Sequence, residues 1–312
     1  MANSADIVSI GRRVRAFVRA QRRNPSRYRV LAEGDSWFTT PVESWKGPTL
    51  IGALKRQTQA RRRVFNIVSV ANPGTELLPT LHPNNHDFAL ATLPDWRREQ
   101  TYDLVLLSSG GNDVLGSRLS SWLRDPMADS AVGRALDRAR TDEARARCLL
   151  DCSAYVTLLE EMLGRLASLR RDVLTPNGLS KARVLIHGYD YPVPDGRPMR
   201  VLGGAISIGP WLKPAFKRAN VPDELRPAVI KLLIDEYNAR LRELALGQRR
   251  FHYLDLRGTL RGPDDWADEI HPHRSSGIAA IAQRMGTAMR RIRDGGAPSI
   301  MGPRAPAGEY RC

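Results

Sequence analysis

Five short apolar segments, separated by longer segments with helical periodicity, constrain the fold of this chain more than any other feature. The first begins near Val30, and the others cover residues 64–70, 102–108, 183–187 and 251–256. They have the length of β-strands, and segment 64–70 is apolar almost throughout, as a strand buried on both faces should be. Alternating strands and helices favour a doubly wound parallel α/β sheet. We predict five strands in the order 2-1-3-4-5, in a three-layer α/β/α arrangement.

The 312 residues suffice for one large α/β domain with additions. Residues 1–27 place apolar side chains at helical spacing among arginines, which predicts a basic amphipathic helix docked on the domain. A membrane-surface or partner-binding helix is the alternative. The domain is predicted over 28–294, with a helical insertion at about 115–150 and an apolar lid, rich in proline and glycine, over 192–222. The tail, 295–312, is predicted to be disordered.

The net charge of +15 and the isoelectric point of about 10.4 are unusual for an otherwise ordinary globular composition. Such a surface attracts polyanions or anionic lipid at low salt. The arginines are dispersed, and no RNA-binding aromatic motif or Cys–His finger accompanies them. Contact with nucleic acid, another polyanion or an anionic membrane is therefore expected to be secondary.

The three cysteines give no sign of a disulfide framework. Cys148 and Cys152 lie four residues apart in a helical pattern, and Cys312 is the last residue of the sequence. This pattern fits a reducing compartment. The sequence shows neither a signal-peptide core nor an apolar stretch long enough to span a membrane, so we expect a cytoplasmic protein.

Polar residues follow the predicted strands at the points where those strands end. Ser36 comes after the first strand, and Gly74 and Asn112 come after the second and third. Asp268 and His271 lie in the loop after the fifth strand. Because the carboxyl ends of parallel strands meet at one edge of a sheet, we expect these residues to lie close together.

These residue types match the needs of ester hydrolysis by a serine, which are a nucleophile, a base, an orienting group and oxyanion donors. Ser36 can be the nucleophile, His271 the base and Asp268 the carboxylate that orients the imidazole. The backbone N–H groups of Ser36 and Gly74 and the side-chain amide of Asn112 can stabilise the oxyanion. This chemistry requires no metal and no cofactor.

Four short blocks of the chain resemble, in order, the signature blocks of the SGNH (GDSL-type) hydrolases, which are serine esterases and lipases. They are Gly34-Asp35-Ser36, Gly74, Gly110-Gly111-Asn112-Asp113 and Asp268-Glu269-Ile270-His271-Pro272. The resemblance covers about residues 28–293 and implies a flavodoxin-like sheet, a Ser-His-Asp triad, an acyl-enzyme intermediate and a small-molecule, lipid or carbohydrate ester as substrate. The motif Gly-Asp-Ser-Leu gives the GDSL-type hydrolases their name, and this chain has Trp37 at the position of the leucine. The α/β-hydrolase motif Gly-x-Ser-x-Gly is not matched, because Phe38 occupies its last position.

Each candidate residue also has a plainer interpretation. Asn112 could cap a helix, and Gly74 could be an ordinary turn glycine. His271 could be a loop histidine, and His273 is a second candidate base nearby. Three further carboxylates could replace Asp268 as the orienting group: Asp264, Asp265 and Glu269.

Two further groups of side chains are candidate binding residues. Trp37, Tyr189 and Trp211 lie in the predicted rim loops and are expected to bind substrate, although aromatic side chains also pack cores. His82 and His86 could form a metal pair, but a proline separates them and no third ligand is evident.

Three functions are therefore compatible with the sequence. The first, which we favour, is metal-independent hydrolysis of a carboxylic ester. The second is transfer of the acyl group to a sugar or another hydroxyl, which a water-excluding lid over 192–222 would favour. The third is a basic protein that binds nucleic acid or a membrane surface, and the complete set of catalytic positions weighs against it.

Overall fold

The computed structural model of the chain describes residues 4–39, 49–60, 64–77, 102–169, 171, 179, 181–201, 205–302 and 308–312. Within these residues the strands form a six-stranded sheet and a separate two-stranded sheet. The strands are β1 (Tyr28–Gly34), β2 (Phe65–Ser69), β3 (Leu104–Ser108), β4 (Arg183–His187), β5 (Met199–Val201), β6 (Ile206–Ile208), β7 (Phe251–Leu254) and β8 (Ile300–Met301).

The helices of the described residues precede, connect or follow these strands. They are α1 (Ser4–Arg23), α2 (Leu50–Ala60), α3 (Gly111–Leu115), α4 (Leu119–Trp122), α5 (Ser130–Arg138), α6 (Asp142–Cys148), α7 (Cys152–Leu169), α8 (Lys213–Arg218), α9 (Arg226–Gly247) and α10 (Gly277–Arg293). Short 3₁₀ helices cover Asp223–Leu225 and Pro263–Asp265.

The main sheet has the order β2-β1-β3-β4-β7-β8, and each neighbouring pair is parallel. Strand β7 is the fifth of the predicted strands, so the first five strands of the sheet have the predicted order 2-1-3-4-5. The sixth, β8, was not predicted and extends the edge beside β7. Because the strands are parallel, the loops that follow β1, β2, β3, β4 and β7 all leave from the same edge of the sheet.

Helices cover both faces of the sheet, which gives the predicted three-layer α/β/α fold. Strands β2 and β3 are buried along their whole length, in keeping with their apolar sequences. Helix α2 packs on α10, and α9 packs on α6 and α7. Three apolar side chains of α10 recur every four residues and are fully buried: Ile281, Met285 and Met289. Burial of each side chain stabilises the fold by roughly 1.5–3 kcal/mol.

Helix α1 is docked on the sheet by its apolar side and by one buried polar contact. Val14 and Phe17 are buried, and the helix packs against β2. Asn66 of β2 donates from Nδ2 to the Phe17 carbonyl and to Oε1 of Gln21, both at 3.0 Å. In the parts of the chain that the structure describes, no helix combines the length and apolar composition of a membrane span.

The tail is ordered where the structure describes it, so the prediction of disorder over 295–312 is wrong for those residues. Ile300–Met301 form β8 and pair with β7. Farther along, Glu309 accepts a 2.6 Å hydrogen bond from the fully buried guanidinium of Arg257, which also pairs with Asp235 and Asp255. A buried cation needs carboxylate partners, and the tail supplies one of them.

The cysteines also differ from the prediction, because Cys152 and Cys312 form a disulfide across 160 residues. Cys148 is a free cysteine. Helix α7 and the tail meet only in the folded chain, so the spacing of the cysteines gave no indication of the pair. Disulfides persist mainly in oxidising compartments, and the cysteine pattern therefore no longer supports a cytoplasmic location.

A basic cavity of about 660 Å³ lies at the amino-terminal edge of the sheet, opposite the edge that carries Ser36. Its lining includes Arg183, Arg249, Arg250 and His252. Burial lowers the pKa of His252, so the positive charge of this cavity at neutral pH comes from the arginines.

Replacing Cys312 by serine should lower the free energy of unfolding by about 2–5 kcal/mol, because the cross-link restricts the unfolded chain. Urea unfolding of wild type and variant, with and without reductant, measures the effect. Cys148→Ser is the matched control and should change the free energy by about 0.5 kcal/mol or less. A Cys312→Ser variant as stable as the oxidised wild type would contradict a stabilising role for the disulfide.

Candidate active site

Ser36 lies in the turn directly after β1, where the chain passes close to β3. A Cβ at Gly34 would overlap the backbone carbonyl and the Cβ of Ser108, so this approach requires glycine. The next N–H, of Asp35, donates to the same Ser108 carbonyl at 2.8 Å. The close contact between two neighbouring strands thus sets where Ser36 leaves the sheet.

Asp35 holds the turn from the inside through a buried carboxylate. Oδ1 accepts hydrogen bonds from the Trp37 N–H at 3.0 Å and from the Ser108 hydroxyl at 2.7 Å. Oδ2 accepts one from the Tyr189 hydroxyl at 2.5 Å. Burial raises the pKa of Asp35, and these hydrogen bonds oppose the rise because they stabilise the ionised form. Ser36 is thereby held between two residues that are fixed in the interior.

The side chains of Ser36, His271 and Asp268 form a continuous hydrogen-bonded chain. Ser36 Oγ lies 2.8 Å from His271 Nε2. His271 Nδ1 lies 2.8 Å from Oδ2 and 3.0 Å from Oδ1 of Asp268. Because an ionised carboxylate only accepts hydrogen bonds, the proton of the neutral imidazole sits on Nδ1 and Nε2 accepts from the serine hydroxyl.

Asp268 is fully buried and also shapes the loop in which it lies. Its Oδ1 accepts from the backbone N–H groups of Ile270 at 2.8 Å and His271 at 2.9 Å. One carboxylate therefore fixes both the backbone turn and the imidazole ring, which explains the three-residue spacing between Asp268 and His271.

Trp37 joins the loop that carries Ser36 to the loop that carries His271. Its indole Nε1 donates to the Ile270 carbonyl at 3.1 Å, and its ring is packed against Tyr189 and Trp266. Beneath it, burial lowers the pKa of His187 to about 4, so that histidine stays neutral. The indole therefore ties the serine loop to the histidine loop.

Gly74 and Asn112 lie beside Ser36, on the loop after β2 and on α3. Gly74 has a φ of +75°, a conformation that favours glycine. Asn112 Nδ2 donates to the Thr75 carbonyl at 3.0 Å, which leaves its second N–H available. The buried Asp113 accepts from the Leu77 N–H at 2.6 Å and ties the same loop to α3.

The geometry bears on the other interpretations of Asn112, of the second histidine in the loop and of its other carboxylates. Gly110 is the N-cap of α3 and Asn112 lies inside the helix, so Asn112 is not a cap. His273 contacts the Ser275 hydroxyl rather than Ser36. Asp265 accepts from the backbone N–H of Arg261. Of the four carboxylates considered in the loop, Asp268 is the one bonded to the His271 ring.

The possible metal pair, His82 and His86, lies outside the described residues. Among the residues that are described, no group of three or more His, Cys, Asp or Glu side chains is arranged to hold a metal ion.

A cavity of about 490 Å³ opens beside Ser36 and His271. Of the three aromatic residues proposed to bind substrate, Trp211 lines it, and the Trp211 and His271 rings meet edge to face at 5.9 Å. The other lining residues are Pro73, Gly74, Glu76, Asn112, Leu115, Gly116, Ser117, Ser120, Pro210, Pro214, Ala215, Arg218 and Ile270. The candidate oxyanion donors and the hydrogen-bonded chain therefore share one mainly apolar cavity.

Tyr189 supports the site from within the core. It is buried, its hydroxyl is bonded to Asp35, and it is absent from the cavity lining. Sequence reasoning missed the roles of Asp35, Ser108 and Tyr189, and the one available signal was the charged Asp35 at the end of an apolar strand.

No protein-family model and no curated protein matches the chain. Several solved structures resemble it weakly. A protein from Slackia heliotrinireducens described among the SGNH hydrolases is 13% identical with a TM-score of 0.41, covering 84% of this chain and 99% of that one. The lipase/acylhydrolase from Enterococcus faecalis is 15% identical with a TM-score of 0.41, covering 83% and 96%. The psychrotrophic esterase EstA from Pseudoalteromonas sp. is 11% identical with a TM-score of 0.42, covering 85% and 98%.

These structural neighbours are esterases, lipases and SGNH hydrolases, so they include the family that the four sequence blocks resemble. At such low identity and TM-score these likenesses carry no argument about the function of this chain.

Tyr189→Phe should lower the free energy of unfolding by about 1–3 kcal/mol, because it leaves Oδ2 of the buried Asp35 without its donor. The Michaelis constant for an ester should stay within about twofold, because the ring does not line the cavity. Urea unfolding and steady-state kinetics measure the two effects. A raised Michaelis constant with unchanged stability would instead place Tyr189 in contact with substrate.

Proposed function

We propose that this protein is a serine hydrolase that cleaves carboxylic esters through an acyl-enzyme intermediate. The observation that carries the proposal is the hydrogen-bonded chain from Ser36 Oγ through His271 to Asp268, open to a cavity at Ser36. A hydroxyl bonded to a neutral imidazole, which is in turn bonded to a buried carboxylate, is the arrangement that activates serine as a nucleophile.

In the first half of the reaction, Ser36 Oγ attacks the ester carbonyl carbon while His271 Nε2 takes the hydroxyl proton. The carbonyl π bond opens and its oxygen becomes an oxyanion. As the tetrahedral intermediate collapses, the bond to the alcohol oxygen breaks and that oxygen receives the proton from His271. Asp268 keeps the imidazole oriented and stabilises its protonated form without taking the proton.

In the second half, water takes the place of the alcohol. His271 accepts a proton from the water as its oxygen attacks the acyl carbon, and it returns that proton to Ser36 Oγ when the acid leaves. The backbone N–H groups of Ser36 and Gly74 and the free side-chain N–H of Asn112 are the proposed oxyanion donors. The Thr75 carbonyl supports this role of Asn112, because it fixes the amide plane.

The cavity supports an ester with an apolar portion of moderate size. Trp211, Pro210, Pro214 and Leu115 provide apolar surface near Ser36, which suits an acyl chain or an apolar alcohol. Acyl transfer to another hydroxyl would use the same acyl-enzyme and would appear as a different product.

Ser36→Ala should abolish labelling by a fluorophosphonate probe and lower the turnover of p-nitrophenyl esters by at least about a thousandfold, because the nucleophile is lost. Ser121→Ala, at an exposed position of α4 outside the cavity, is the labelling control and should label like wild type. Labelling of Ser36→Ala at the wild-type level would rule out Ser36 as the nucleophile.

The same assay distinguishes hydrolysis from transfer. A panel of p-nitrophenyl esters with graded acyl length is run with and without added glycerol. The free acid as the main product supports a hydrolase, whereas a glycerol ester as the main product would identify an acyltransferase.

His271→Ala should reduce turnover more than Asp268→Ala, because the first variant lacks the base and the second only its orienting group. His273→Ala should keep most of the activity, because His273 does not contact Ser36. The three variants are compared by turnover number, with folding checked by circular dichroism. An inactive His273→Ala beside an active His271→Ala would overturn the assignment.

A further inference from the structure

Glu269 lies between Asp268 and His271 in the sequence, but its side chain serves another part of the molecule. It is fully buried, and its carboxylate accepts hydrogen bonds from four backbone N–H groups. Trp211 and Leu212 donate to Oε2 at 2.5 and 2.6 Å, and Gly196 and Lys213 donate to Oε1 at 2.9 and 3.1 Å.

All four donors lie in two described stretches, residues 196–201 and 205–213, which together we call the wall segment. A buried carboxylate is unfavourable by several kcal/mol unless hydrogen bonds replace its water, and N–H groups that donate to an ionised acceptor form strong bonds. The wall segment provides this replacement for Glu269. A further bond from the Val193 N–H to the Glu269 carbonyl, 3.0 Å long, joins the chain just before the segment to the same residue. Displacing the segment would therefore leave a buried charge without donors.

The wall segment contributes one side of the cavity. Trp211 and Pro210 both line it, and Trp211 contacts the His271 ring. Trp211 is also one of the residues whose backbone N–H group donates to Glu269. The position of the indole is thus coupled to the loop that carries the catalytic histidine.

We propose that Glu269 is a positioning residue that determines which esters the cavity accepts, by holding Trp211 and the wall segment against the histidine loop. The inference rests on the proposed esterase function. Glu269 contacts neither Ser36 nor the imidazole, whose own support comes from Asp268. Loss of its carboxylate therefore loosens the cavity wall while the hydrogen-bonded chain of the triad stays intact.

The test compares p-nitrophenyl acetate with p-nitrophenyl hexanoate on wild type, Glu269→Gln and Trp211→Ala. For Glu269→Gln, the Michaelis constant for the hexanoate should rise about tenfold, because the longer acyl chain needs the wall. Turnover of the acetate should stay within about twofold of wild type. Glu224→Gln, at an exposed position, is the matched control and should behave as wild type on both esters.

A double-mutant cycle tests the coupling. If Glu269 acts through Trp211, the Glu269→Gln/Trp211→Ala double variant should show about the same Michaelis constant for the hexanoate as Trp211→Ala alone. Effects that simply multiply, or an equal loss of turnover on both esters, would overturn the proposal. Glu269→Asp keeps the charge but shortens the side chain, and it should give an intermediate change if Glu269→Gln does not fold.

Hydrogen exchange separates this proposal from the esterase assignment. The amides of Trp211, Leu212 and Lys213 should exchange slowly in wild type and at least about tenfold faster in Glu269→Gln, whether or not an ester is hydrolysed. Unchanged exchange there would overturn the positioning role of Glu269. Loss of exchange protection in a protein that hydrolyses no ester would keep Glu269 as the anchor of the wall segment but refute both the esterase and the specificity role.

Discussion

The site depends first on the buried carboxylate of Asp35. It accepts hydrogen bonds from Trp37 next to Ser36, from Ser108 at the end of β3 and from Tyr189 just after β4. Burial raises the pKa of this carboxyl group, and the three donors, which come from three strand ends, oppose that rise. Because the donors come from different strands, the serine turn has its shape only in the assembled sheet.

The histidine loop is organised by the same kind of interaction, with two adjacent carboxylates that point to different partners. Asp268 faces inward to the imidazole and its own backbone, and Glu269 faces the wall segment. The Trp37 indole then bonds to the carbonyl of Ile270, the residue that follows them. Ser36, His271 and the cavity wall are consequently linked through these contacts at the edge of the sheet.

The sequence predicts much of this arrangement, because buried parallel strands are apolar and polar residues at their ends stand out. The strand order and the nearness of Ser36, His271 and Asp268 follow from that pattern. Strand β8 has two residues and no periodicity, and the Cys152–Cys312 bond joins positions 160 apart, so neither leaves a local signal. The burial of the Trp37 and Tyr189 rings was not predicted, because a residue's nearness to a motif does not reveal which way its ring points.

The parallel sheet also separates two chemically different ends of the molecule. The carboxyl edge carries the cavity with Ser36, and the amino edge carries the cavity lined by Arg183, Arg249 and Arg250. A negatively charged support, such as a cation-exchange bead or silica, would attract the arginine-rich edge. Protein adsorbed in this orientation would present the mouth of the Ser36 cavity to the bulk solution, so Ser36 and His271 would stay accessible in an immobilised preparation without any engineered linker.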